Sequence, residues 1–124
     1  MEVNSQFGTG HAQDFVEARR HPRYRLQVDI RVYARNTSVV RGYTVDISER
    51  GISALLAVEV PVGEVVRLEF SLPMGDIETH AMVRHRSAFR YGLQFVETSG
   101  ALDVIGRTCG QLAMEESLRQ AKRS

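Results

Sequence analysis

Two short stretches of this chain carry side chains that can do chemistry together. In the first, Arg19-Arg20-His21-Pro22-Arg23-Tyr24-Arg25, four guanidiniums fall within seven residues. In the second, Asp46-Ile47-Ser48-Glu49-Arg50-Gly51, a carboxylate, a hydroxyl and a glycine share one turn. Arginine presents a planar fork that donates two parallel hydrogen bonds to the O6/N7 edge of guanine or clamps phosphate oxygens. The carboxylate of Asp46 can accept from the N1 and N2 hydrogens on another edge of the same base, and Ser48 can donate or accept beside it. Gly51 has no side chain, so it lets a ligand or backbone come close and permits positive φ in the turn. Arg50 stands where it could add a phosphate contact. The partner these groups fit is anionic and guanine-like, and holding it needs no catalytic set.

Each stretch alone has an ordinary reading. An arginine cluster ahead of a strand can be a solvated entry segment. Asp-x-Ser-x-x-Gly can be a plain turn in which Asp and Ser side chains cap backbone N–H groups. Together, however, they resemble the signature of the PilZ domain family, Arg-x-x-x-Arg followed after a spacer by Asp/Asn-x-Ser-x-x-Gly. Arg19 and Arg23 match the first half; Asp46, Ser48 and Gly51 match the second, with no departure at a signature position. The resemblance runs from about Arg19 to Glu97 and continues more loosely into a C-terminal helix. It implies a small bacterial β-barrel that binds the second messenger cyclic di-GMP, with the arginines on a flexible N-terminal arm and the Asp/Ser/Gly group on the barrel face. Arg19 and Arg23, helped by Arg20, would then fork onto a guanine and the phosphates. Asp46 and Ser48 would hold base edges, and Gly51 would leave room for the ligand. Arg50 is outside the signature. The resemblance also implies an effector in motility, adhesion or exopolysaccharide machinery, and no cofactor beyond the ligand.

Composition bounds these expectations. At 124 residues the chain is one domain by size, and 43% hydrophobic with 25% charged residues is ordinary for a soluble globular protein. A net charge of +1 argues against broad nucleic-acid binding, which depends on excess positive charge along phosphate backbones. The single cysteine, Cys109, excludes an intrachain disulfide and fits a reducing cytoplasm. No apolar run is long enough to span a membrane, and the N-terminus lacks a signal-peptide pattern, so a cytoplasmic protein without membrane insertion is expected.

Along the chain, residues 1–18 read as a flexible arm and residues 19–124 as the barrel domain with its helix. Residues 1–18 are poor in periodicity, and their charged side chains Glu2, Asp14 and Glu17 are acidic. From Tyr24 the sequence alternates, predicting a first strand with Leu26, Val28, Ile30 and Val32 inward. A second strand is expected over about 40–47 through Tyr43 and Val45, and a third from Ile52, Ala54 and Leu56. Val66, Leu68, Phe70 and Leu72 mark a fourth, and Ile77, Thr79, Ala81 and Val83 a fifth. Phe89, Tyr91, Leu93 and Phe95 mark a sixth. Six short antiparallel strands with tight turns predict an all-β-dominated fold, a barrel whose closure removes exposed edges.

After Thr98 or Ser99 as N-cap, Leu102, Ile105, Cys109 and Leu112 recur at helical spacing, predicting an amphipathic C-terminal helix packed over the barrel's end. Gly106 and Gly110 inside it lower helix propensity, which points to close packing against a neighbour.

Other chemistries fail on spacing. His80 and His85 lie an odd number of residues apart on one strand and so face opposite ways, so no metal site is expected. There is no phosphate-binding Gly-x-x-x-x-Gly-Lys loop, nucleophile elbow or acid/base carboxylate pair, and no enzyme is expected. Two alternatives to a cyclic di-GMP receptor stay open: a ligand-independent adaptor with a PilZ-like barrel, and a small-barrel binder of single-stranded nucleic acid.

Overall fold

The computed structural model describes residues 22–35, 38–96 and 100–123. Among the described residues seven strands and one helix are arranged in order: β1 Tyr24–Arg25, β2 Asp29–Tyr33, β3 Val40–Ile47, β4 Gly51–Leu56, β5 Val65–Leu72, β6 Gly75–Ser87, β7 Arg90–Phe95 and α1 Gly100–Arg123. The sheet order β3-β2-β5-β6-β7-β4 closes when β4 pairs back onto β3, giving a six-stranded antiparallel barrel. β1 is a short seventh strand that also pairs with β3. Residues 1–18, expected as an arm, and the expected N-caps Thr98 and Ser99 lie outside the described residues.

Period-2 patterning drives most of this. Val66, Leu68, Phe70 and Leu72 of β5, Ile77, Thr79, Ala81 and Val83 of β6, and Ile52, Ala54 and Leu56 of β4 all point into the barrel and are buried. Burying each large aliphatic side chain contributes about 1.5–3 kcal/mol. Tyr91 fills the interior too, and its hydroxyl accepts a hydrogen bond from Val60 N at 3.0 Å, which satisfies the one polar atom it carries inward.

Where the pattern breaks, the reason is local. The expected first strand is split. β1 and β2 both lie on the same edge of β3, and between them regular pairing lapses over Leu26–Val28, where Leu26 N still donates to Val45 O and Thr44 N to Val28 O; Leu26 and Val28 are half-buried. The hydroxyl of Thr44 fills that gap, donating to Leu26 O and accepting from Val28 N. A register shift between Thr44 and Asp46 then changes the phase of β3. Thr44 is therefore the buried residue at mid-strand, while Tyr43, named with Val45 in the expected alternating run, is 55% exposed on the outer wall. Phe89, expected within the sixth strand, sits instead in the tight turn between β6 and β7 and is exposed. A second register shift, between Val83 and His85, sets His85 opposite Gly92 and so on the outer wall with His80, rather than facing the other way.

Helix α1 packs against β1 and β6. Ile105 and Cys109 are buried in the common core, with Leu102, Val104 and Leu112 against it beside Tyr24 and Leu26. Close packing does not explain the helical glycines, since a Cβ at Gly106 or Gly110 would meet open space. Among the described residues no helix is long and apolar enough to cross a membrane.

Candidate ligand-binding site

The two polar stretches meet on the outer wall of the barrel. β1 pairs with β3 so that Arg25 stands opposite Asp46, and β4 pairs with β3 so that Ser53 stands opposite Asp46 on the other side. One row across the sheet therefore runs Arg25, Asp46, Ser53, Gly92 and His85. The sequence folds this way because the Thr44/Asp46 register shift turns the carboxylate of Asp46 outward while Ile47, next in line, drops into the core.

Asp46 is the hub. Its Oδ1 accepts from Arg23 Nε at 3.1 Å and its Oδ2 from Arg90 Nη2 at 3.1 Å. Arg23 also donates from Nη2 to Ser53 Oγ at 3.1 Å, so one guanidinium bridges β3 and β4. The side chain of Asp46 is only 16% exposed, whereas those of Arg23 and Arg90 are 40% and 51% exposed. A carboxylate is thus held in place from below the surface, with two solvent-accessible guanidiniums fanned around it. Arg25 adds a third cation next door, with no acceptor among the described residues. Such a surface takes an anion readily, because the arginine forks that do not face Asp46 still have donors to spare.

The remaining signature residues have different tasks. Ser48 is 1% exposed, and its Oγ accepts from the N–H groups of Arg50 at 3.2 Å and Gly51 at 3.1 Å. The hydroxyl faces into its own turn and holds it shut. Gly51 does not adopt the left-handed conformation that the turn suggested; among the described residues the glycines with positive φ are Gly63 and Gly75. Its need for glycine comes from packing, since a Cβ would run into the carbonyl oxygen of Leu93 and lie 3.4 Å from Gln94 Cα. Arg50 is exposed, and its carbonyl accepts from Phe95 N at 2.9 Å. Arg19 and Arg20 lie outside the described residues.

Three residues beside Asp46 carried no signal in the sequence. Arg90, Ser53 and Gly92 join the site through strand register alone. At Gly92 a Cβ would collide with the Nε2 end of the His85 ring. The run Arg90-Tyr91-Gly92 has no special composition, and only the β4–β7 pairing brings it next to Asp46.

The PilZ domain family matches residues 17–109. The chain belongs to the PilZ domain family. An uncharacterized protein of Aquifex aeolicus (strain VF5) is 33% identical over 120 residues, covering 92% of this chain and 58% of its own length. Among solved structures, the PilZ domain of YcgR from Escherichia coli, determined with c-di-GMP, superposes with a TM-score of 0.66 at 16% identity, covering 83% of this chain and 97% of that one. The Bacillus subtilis inhibitor of motility MotI/DgrA gives 0.67 at 22% identity, covering 77% of this chain and 51% of that one. The chain thus spans little more than half the length of two of these proteins, and the structural likenesses carry the PilZ fold.

Proposed function

We propose that this PilZ domain is a cyclic di-GMP receptor that works as an adaptor rather than an enzyme. The observation that supports this most is the meeting of the two halves of the signature: Arg23 binds Asp46, and Ser53 beside it, so the arginine half and the Asp46 carboxylate form one surface. On that surface Asp46 offers an acceptor for guanine N1 and N2, and Arg23, Arg25 and Arg90 offer donors for O6/N7 or for phosphate. The YcgR PilZ domain of the same fold is described with this ligand. Arg19 and Arg20 lie three and two residues before Pro22, so a dianionic ligand seated at Asp46 would gather them onto the barrel and order the arm as it binds. Signal output is then a changed surface presented to an effector, with motility, adhesion or exopolysaccharide proteins as the class.

A calorimetric titration with cyclic di-GMP, GTP and a short single-stranded oligonucleotide tests the reading. Saturable binding of cyclic di-GMP alone supports it; preference for the oligonucleotide replaces it with a nucleic-acid binder, and no binding leaves the ligand-independent adaptor. Amide exchange of residues 1–21 with and without cyclic di-GMP tests the arm. Equal protection in both states would sink the ordering mechanism even with binding established.

A further inference from the structure

Next to Asp46 the outer wall carries two large apolar side chains that the barrel itself does not use. Tyr43 on β3 and Leu55 on β4 are direct cross-strand partners, 55% and 45% exposed. They occupy the row after the Asp46–Ser53 pair, and residues two apart on one strand face are about 7 Å apart. Arg90 pairs with Leu55 from the other side, so the guanidinium that holds Asp46 rises from this row. The next row is stranger. Arg41 and Arg31 stand directly opposite each other on β3 and β2, a like-charge pair of the kind that destabilises a sheet. Arg31 is offset by Glu69 at 3.2 Å, but Arg41 has no acceptor among the described residues. Tyr43, Leu55, Arg41 and Arg31 line a cleft of about 760 Å³ that extends to Glu69 and Ser71. That volume suits a small molecule.

An exposed aromatic–aliphatic pair flanked by an unpaired arginine fits one chemistry well: a planar heterocycle stacked on the pair and an anion on the arginine. A base whose hydrogen-bonding edge lies at Asp46 carries its ring system toward the next row, which is where Tyr43 and Leu55 are. We propose that Tyr43 and Leu55 form the stacking platform for a guanine of the bound cyclic dinucleotide, and that Arg41 supplies the cation for its phosphate. This rests on the cyclic di-GMP reading above and adds to it three contact residues outside the family signature.

Calorimetry on the full chain tests the platform with Tyr43→Ala, Tyr43→Phe and Arg41→Gln, each checked for an unchanged melting transition. Tyr43→Ala is expected to weaken cyclic di-GMP binding about tenfold or more, and Tyr43→Phe to keep nearly full affinity, because stacking uses the ring and not the hydroxyl. Arg41→Gln is expected to weaken binding severalfold at low salt and to flatten the salt dependence of affinity. Tyr43→Ala that binds like the unaltered chain removes the platform and leaves the receptor reading standing. Absence of binding by the unaltered chain removes both. A Tyr43→Phe variant as weak as Tyr43→Ala also overturns stacking, because the hydroxyl would then carry the contact.

Discussion

Arg90 reaches across β4 to set its Nη2 3.1 Å from Oδ2 of Asp46, the carboxylate oxygen that Arg23 leaves unused. One acid on β3 is thus gripped by an arginine from the segment before β1 and another from β7. Arg23 is positioned to turn onto a ligand, since it arrives from the chain entry and its Nη2 bond to Ser53 is a single neutral acceptor. Arg90 arises from a paired barrel strand, so it can stay with Asp46 and keep the carboxylate oriented when Arg23 leaves. Arg90→Ala is therefore expected to weaken cyclic di-GMP binding about tenfold, and Arg90→Lys to recover part of it, lacking the planar fork. Tighter binding by Arg90→Ala in calorimetry would mean that Arg90 competes with the ligand for Asp46 instead.

Arg23→Ala is expected to lose about 1–3 kcal/mol of binding, roughly fivefold to 150-fold in affinity, with little change in melting temperature. The stability cost is small because an exposed ion pair contributes only about 0–1 kcal/mol. Asp46→Ala is expected to weaken binding at least as much, and it also leaves Arg23, Arg25 and Arg90 facing one another without their shared anion. Its melting temperature should therefore recover on adding salt, which screens that repulsion. Thermal melts at two ionic strengths alongside titrations check both variants.

Ser48 and Gly51 are expected to rank the other way, with stability falling before affinity. Ser48→Ala strands the buried N–H of Gly51, one of the two donors its hydroxyl accepts from, at a cost of about 1–3 kcal/mol. Gly51→Ala pushes a methyl into the Leu93 carbonyl, and backbone there cannot step aside as a flexible side chain could. A cost of about 1–3 kcal/mol is expected for such overpacking. Denaturant melts measure both. A Ser48→Ala variant that melts normally yet fails to bind would show that the hydroxyl leaves its turn to hold the base.

The residues that could be read from the sequence are those whose work is local. Alternation over Val66–Leu72 and Ile77–Val83 determines both face and strand, because each residue's burial tracks that of its neighbours two positions away. The Asp46–Gly51 turn is legible for the same reason. The features that escaped depend on pairing between strands distant in sequence. Arg90 and Ser53 are ordinary residues until β4 is laid between β3 and β7. The two register shifts, at Thr44/Asp46 and Val83/His85, have no compositional mark, and each reverses the face of the residues beyond it. Uninterrupted alternation through Tyr43, Val45 and Ile47 fails because it does not contain the first of these shifts. Gly106 and Gly110 are a different case: their helix is formed, nothing packs near them, and no feature of the structure accounts for them.

Cys109 is expected to be inert and to tie stability to alkaline pH. Burial in the seam between α1 and the barrel pushes its thiol up from 9.0 to about 11, with Glu49 adding repulsion toward the thiolate. Between those values the folded chain keeps a proton that the unfolded chain has released. Its contribution is therefore whole below about pH 9 and is lost as the pH rises through about 11. Tyr24, also raised, mainly by burial, acts in the same direction. Melting temperatures measured from pH 8 upward should fall over this window, and Cys109→Ser or Cys109→Ala should reduce the slope. Thiol labelling of the native chain should be slow and should accelerate on unfolding.

Thr44→Val tests whether the break between β1 and β2 is the feature that delivers Arg23. The hydroxyl-bearing side chain of Thr44 belongs to a residue only 2% exposed and serves two backbone groups, Leu26 O and Val28 N. Valine has nearly the same shape, so the core remains filled, but both backbone groups lose a partner in the gap. Unsatisfied groups of this kind cost about 1–3 kcal/mol each when they stay buried. Here Leu26–Val28 can relieve the loss by moving outward, which stretches its two backbone bonds to β3, Leu26 N to Val45 O and Thr44 N to Val28 O, beside the β1 pairs Tyr24–Ile47 and Arg25–Asp46. The variant is expected to melt lower, to show faster amide exchange at 24–28 than in β5 or β6, and to bind cyclic di-GMP more weakly although no ligand contact was altered. If affinity holds while exchange at 24–28 rises, Arg23 reaches the ligand without help from β1, and the strand's pairing serves the barrel alone.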